Sequence, residues 1–257
     1  MTPWTAGLAG SAALQTTLWL VQLRTGNAAT ADLGWALSTA LFALLHAAAG
    51  DGAVERRAWA AALLLAWSLR LSWHLLRDRA FAAEEDGRYA AFRARWGASA
   101  PLKFLGLYLF QTPLAALLSV PAAVAAADAR AAGWAGPLAA LWAGAAVYGE
   151  TLADAQLAAF RADPANKGRT CRAGLWRYSR HPNYFFEWLF WWSPVVLAAG
   201  AAGWAWTLLG PAVMALFLLK LTGVAVTEAH AAASRPDYAD YMRTTSMFVP
   251  WFPRSAP

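Results

Sequence analysis

The sequence predicts an all-α fold, an integral membrane bundle of seven transmembrane helices with short interfacial helices, and three observations carry that expectation. Of 257 residues, 59% are hydrophobic and only 14% charged, a balance too apolar for a soluble domain of this length. Apolar runs recur at the length a helix needs, about 20 residues for a hydrocarbon core of about 30 Å. The 21 Lys and Arg fall largely between those runs. That placement turns a net charge of +6 into a topology signal and argues against nucleic acid as a partner. Helices rather than barrel strands are expected because each run is long and uniformly apolar, and a lone segment in lipid must satisfy its own backbone.

Taken in order, the first segment spans about 4 to 22. It has no Lys or Arg ahead of its apolar run, so it is expected to be mature sequence rather than a cleaved leader. The second covers about 31 to 50 and the third 57 to 76, where LLLAWSLRLSWHLLRDR sets Trp67, Arg70, His74 and Arg77 on one helical face. Such a stripe either snorkels to the interface or, for the deeper Arg70, meets a polar cavity. AFAAEEDGRYAAFRARWG, 80 to 97, mixes aromatic and charged residues as an interfacial helix does. The fourth segment is 102 to 126 and the fifth 134 to 155, followed by a sixth at 183 to 200 and a seventh at 203 to 226.

Lys and Arg gather at Arg77, Arg79, Arg88, Arg93, Arg95 and Lys103, and again at Arg161, Lys167, Arg169, Arg172, Arg177 and Arg180. Both stretches are therefore expected on the cytoplasmic side, with the amino terminus outside and the carboxyl terminus cytoplasmic. Without an internal repeat or a long linker, residues 1–257 read as one transmembrane domain.

Polar side chains then mark the chemistry. In VYGETLADAQLAAFR, Glu150, Asp154 and Arg161 share a helix face. A carboxylate there needs either an ion pair, such as Asp154 with Arg70 or Arg180, or a ligand. GLWRYSRHPNYFFEW adds Arg177, Arg180, His181, Asn183 and Glu187, with Pro182 at the helix start. Two arginines beside a helix amino terminus suit phosphate, on a nucleotide or on a lipid headgroup. Glu228, His230, Arg235, Tyr238, Tyr241 and Arg243 follow the last segment. The four His are widely separated and no Cys-x-x-Cys occurs, so no metal is expected, and no P-loop or Rossmann fingerprint is present.

GLWRYSRHPNYFFEW, with ADAQLAAFR before it and YADYMRTTSMFVPWFP after it, resembles a bacterial family of membrane proteins related to the steroid 5α-reductases. The resemblance is clearest from about 145 to 253. It implies a seven-helix bundle in the bacterial inner membrane, with NADPH held in a cytoplasm-facing cavity by residues 66–257 and an apolar substrate met by 1–65. Carried over onto this chain, the cofactor set is Arg70, Glu150, Asp154, Arg161, Arg177, Arg180, His181, Asn183, Glu187, His230 and Tyr241. Where the steroid enzymes place an active-site Tyr this chain has Trp67, so His46 and Tyr108 stand as the candidates for proton donor.

The implied reaction is NADPH-dependent reduction of a carbon-carbon double bond in an apolar, lipid-like substrate such as a steroid, sterol or isoprenoid. Two alternatives stay open. Membrane methyltransferases that use S-adenosylmethionine are similar at RHPNY and at the terminal Tyr-x-x-Tyr. A non-catalytic membrane protein could also keep a lipid or nucleotide pocket. The expected partners are the lipid bilayer and a lipid-like small molecule, with no nucleic acid.

Overall fold

The computed structural model describes residues 1–78, 80, 81 and 84–254, without the side chains of Asp78 and His230. Arg79 and the His230 side chain, both singled out above, therefore lie outside the described residues. Within them the chain is helical, with no strand. Among the described residues, four stretches are long and apolar enough to cross a membrane by length and composition: Thr30–Ala49, Val54–Arg77, Gly87–Ala127 and Trp204–Ser234. The chain is a membrane protein built from helices. It divides into two compact units, Met1–Gly136 with Pro194–Gly210, and Pro137–Ser193 with Pro211–Pro257.

The first unit begins with α1 (Pro3–Thr25), α2 (Thr30–Ala49) and α3 (Val54–Asp78). Thr2 caps α1 by accepting the amide of Thr5, and Gly26 ends the helix with a left-handed φ of 72°. α4 (Gly87–Trp96) starts on Asp86, whose carboxylate accepts the Arg88 amide. α5 (Ala100–Leu118) and α6 (Val120–Ala127) are separated at Ser119, beside Pro121, which has no N–H to extend the ladder.

Small and hydroxylic side chains bring these helices together. Ser11 on α1 lies 2.8 Å from Ser38 on α2 and 3.0 Å from Thr112 on α5, all buried. A Cβ on Gly7 would fall 2.2 Å from the Phe42 ring, so only glycine admits that phenylalanine. Lipid offers no hydrophobic drive for helices to associate, so close van der Waals contact and interhelical hydrogen bonds take its place. Arg56, almost fully buried, donates to the carbonyls of Arg130 and Leu197 and sits 3.4 Å from Asp128, which satisfies a charge that would otherwise be costly.

The second unit holds α7 (Ala135–Ala162), α8 (Pro182–Phe190), and, after a return of the chain, α10 (Leu209–Leu216), α11 (Val224–Ser234) and α12 (Tyr238–Thr244). The expected helix at 183–200 is broken. α8 stops at Phe190 and a short α9 (Ser193–Leu197) restarts on Pro194, before Gly200 and Gly203 turn the backbone at φ of 75° and 76°. Between α10 and α11, Phe217–Leu221 forms a π turn that carries Lys220. Thr222 and Gly223 there both donate to the Phe217 carbonyl, and a Cβ on Gly223 would fall 2.2 Å from the Leu218 carbonyl oxygen.

Candidate functional site

The signature stretch 174–187 is held on α7 by its own backbone. Leu175 N–H donates to the Gln156 side chain at 2.8 Å, and the Trp176 indole donates to the Ala153 carbonyl at 2.9 Å. Gly174 has φ of 56°, and a Cβ there would strike the Gln156 amide at 2.4 Å, so glycine is required twice over. Pro182 then opens α8 at the position where a missing N–H costs nothing.

α7 and α8 meet closely. A Cβ on Gly149 would lie 2.4 Å from the Phe186 ring, and Asn183 donates its amide to Asp154 at 3.1 Å. Asp154, for which the sequence suggests an ion pair with Arg70 or Arg180, thus meets the Asn183 amide directly. Glu150 and Glu187 are both buried, and Glu187 accepts the Trp191 indole N–H at 3.1 Å.

Arg180 and His181 form a second cluster on Glu228, and Tyr241 bonds to the backbone of the same segment. Arg180 donates Nε to Glu228 Oε1 at 2.6 Å and Nη1 to the carbonyls of Met242 and Thr245, each at 2.9 Å. His181 Nε2 lies 3.2 Å from the same Glu228 oxygen, and its ring stacks on Tyr184 with planes 2° apart. Burial pushes the His181 imidazole below its ordinary range, and the bond to Glu228 only partly reverses that. Tyr241 donates to the carbonyls of Trp176 and Ser179, while burial pushes its phenol well up, so it stays a donor. These three side chains hold 176–181 against α11 and α12.

The α7 face that carries Asp154 ends at Arg161, on the rim of a cavity of 330 Å³. Arg161, Lys167, Arg169 and Arg235 line it, with Asp163 as the one carboxylate among the lining residues and the buried Cys171 at its wall. Burial raises the Cys171 thiol, which keeps it neutral and unreactive. Four cations around one recess make its lining strongly basic. Residues 18–245 match the family described as "Protein of unknown function (DUF1295)".

The chain belongs to this DUF1295 family. No curated protein and no solved structure matches it.

In this DUF1295 protein, the remaining sites named from sequence fall in two places. Arg177 lines a different cleft, together with Arg172 and Arg254. The other group belongs to the first unit. There Arg70 is half-buried on α3, and Trp67 is fully buried against Trp35, their ring centroids 5.3 Å apart. His46 packs edge-on to Trp4 at 4.4 Å. The Tyr108 hydroxyl lies 2.6 Å from Thr30 Oγ1 and donates to the Ala28 carbonyl, as a satisfied core tyrosine does.

Sequence reasoning passed over Gln156 and Glu228 as organisers and took Lys167 and Arg169 only as topology charges. The available signal was spacing: Gln156 lies two residues from Asp154, and Glu228 and His230 follow the last apolar run.

Proposed function

We propose that this protein is a membrane-embedded NADPH-dependent reductase acting on a carbon-carbon double bond in an apolar, lipid-like substrate. The observation that supports it is the recess at the end of α7, where four cations line 330 Å³ below a face carrying Glu150 and Asp154. NADPH combines a diphosphate and a further phosphate with ribose hydroxyls and an amide. Arg161, Lys167, Arg169 and Arg235 would meet its phosphates. Asp154, Asn183 and the buried Glu150 and Glu187 would accept from ribose or amide groups. S-adenosylmethionine bears a sulfonium cation and no phosphate, so it matches a recess of this charge less well. The bound dinucleotide would supply hydride, while the chain's part is to hold phosphates and screen the site from water.

In this reading the chain crosses the bacterial inner membrane seven times, with the amino terminus outside and the recess facing the cytoplasm. A titration of the detergent-solubilised protein with NADPH and with S-adenosylmethionine tests the choice. NADPH at about 100 times its Kd should stabilise the fold by about 2.7 kcal/mol, a rise in the melting temperature that R161Q/K167Q removes. A rise with S-adenosylmethionine and none with NADPH overturns the reductase in favour of the methyltransferase. NADPH binding without consumption in the presence of enones or polyprenoids favours a non-catalytic nucleotide-binding protein.

A further inference from the structure

We infer that the cleft lined by Arg172, Arg177 and Arg254 is a binding site for the phosphodiester headgroup of an anionic membrane lipid. Its volume is 400 Å³, and Thr244, Thr245 and Pro253 complete its wall. None of these residues lines the recess around Arg161, so the site is separate from the proposed cofactor site and does not depend on it.

Two features converge on it. The first is charge. Arg172 donates to Asp240 at 2.8 Å and to the Asp237 carbonyl, whereas the guanidinium groups of Arg177 and Arg254 have no hydrogen bond or ion pair among the described residues. Among the described residues, no carboxylate lines the cleft itself. Two uncommitted arginines are the donors a phosphodiester accepts from, while the Thr244 hydroxyl is spent on the Asp240 carbonyl.

The second is the strap that closes it. Residues 246–254 are laid along 178–180 by two backbone bonds, Arg180 N–H to the Ser246 carbonyl and Trp251 N–H to the Tyr178 carbonyl, and by one side-chain bond, the Ser179 hydroxyl to the Phe248 carbonyl, at 2.8, 2.9 and 2.8 Å. That pinning fixes Trp251 and Phe252 outward, 69% and 76% exposed, with Met247 and Val249 exposed beside them. Large apolar side chains held rigidly in water would be costly, whereas the acyl boundary of a bilayer accommodates them. The strap follows the last membrane-spanning stretch and α12, which sets it near a membrane surface. Arginines beside outward aromatic residues are the pattern of a segment that sits in the headgroup layer. A free phosphate would use the arginines and leave the aromatic residues without a role, so the lipid is the occupant.

The test uses the full chain in nanodiscs of phosphatidylcholine, with or without about one lipid in five replaced by phosphatidylglycerol. Native mass spectrometry counts retained lipid, and the thermal midpoint is followed in parallel. The wild type should retain phosphatidylglycerol and gain stability from it. R177Q/R254Q should retain about thirtyfold less, at roughly 1 kcal/mol per arginine, with an unchanged midpoint in phosphatidylcholine. R254Q alone, at an exposed position outside any helix, should show part of the same loss. Equal retention by wild type and both variants overturns the proposal. So does stabilisation by inorganic phosphate equal to that by phosphatidylglycerol, which would assign the cleft to a free anion, or a double variant already destabilised in phosphatidylcholine while R254Q retains lipid normally.

Discussion

Glu228 receives two partners on one oxygen, Arg180 at 2.6 Å and His181 at 3.2 Å, while Arg180 spends its other donors on backbone carbonyls at the end of α12. A buried cation held this way is costly to orphan, because removing one partner strands the other's charge. E228Q is expected to lower stability by about 2 to 4 kcal/mol, read as a fall in the unfolding midpoint in detergent. An unchanged midpoint would mean that the carbonyls alone suffice for Arg180. The sequence placed Arg180 and His181 at a site but could not supply their partner. Glu228 lies 48 residues from Arg180, and nothing in a helical period links positions that far apart. The contact of Asp154 with Asn183 was not legible either, and for the same reason: the resemblance marks both residues but does not pair them.

At the scale of elements, the α7–α8 contact depends on Gly149, where a β-carbon would sit 2.4 Å from the Phe186 ring. In an ordinary helix, Gly to Ala stabilises by roughly 0.5 to 1 kcal/mol. Here the added methyl must push α8 away, at an overpacking cost of about 1 to 3 kcal/mol. G149A should therefore destabilise, and F186A in the same chain should reverse part of the loss, measured as non-additive unfolding midpoints in a double-mutant cycle. The apolar runs located most helices well, since length and uniform hydropathy are properties of one segment. They did not reveal the break after Phe190. FWWSPVVLAAGAAGW is as apolar as a continuous span, and its interruption comes from Pro194 and two left-handed glycines rather than from polarity.

For the whole molecule, pH sensitivity outside the spans follows from groups whose titration differs between folded and unfolded chains. An unfolded histidine titrates near about 6.5, and burial sets His181 lower. Between those values the unfolded chain binds more protons, so this contribution is full above about pH 6.5 and falls away as the pH drops below it. For Asp237, burial acts upward, but the Thr170 hydroxyl and amide together with Arg172 hold the carboxyl below its usual range. Its contribution is complete above about pH 3.9 and is lost as the pH falls through the folded value. The unfolding midpoint should therefore decline from about pH 7 to 5 and decline less in H181Q, measured in one detergent at fixed salt. A slope equal in both proteins would assign that loss elsewhere. The polar positions that titrate were visible in the sequence, but their burial depends on packing between distant segments. The π turn at Phe217–Leu221 bears on the same scale. With two amides sharing the Phe217 carbonyl, the ladder slips its register there, so α10 and α11 are separate rods joined at one compliant joint. Any bending of this stretch is concentrated at that joint, and it would carry Glu228, with the arginine and histidine that lean on it, as a single lever.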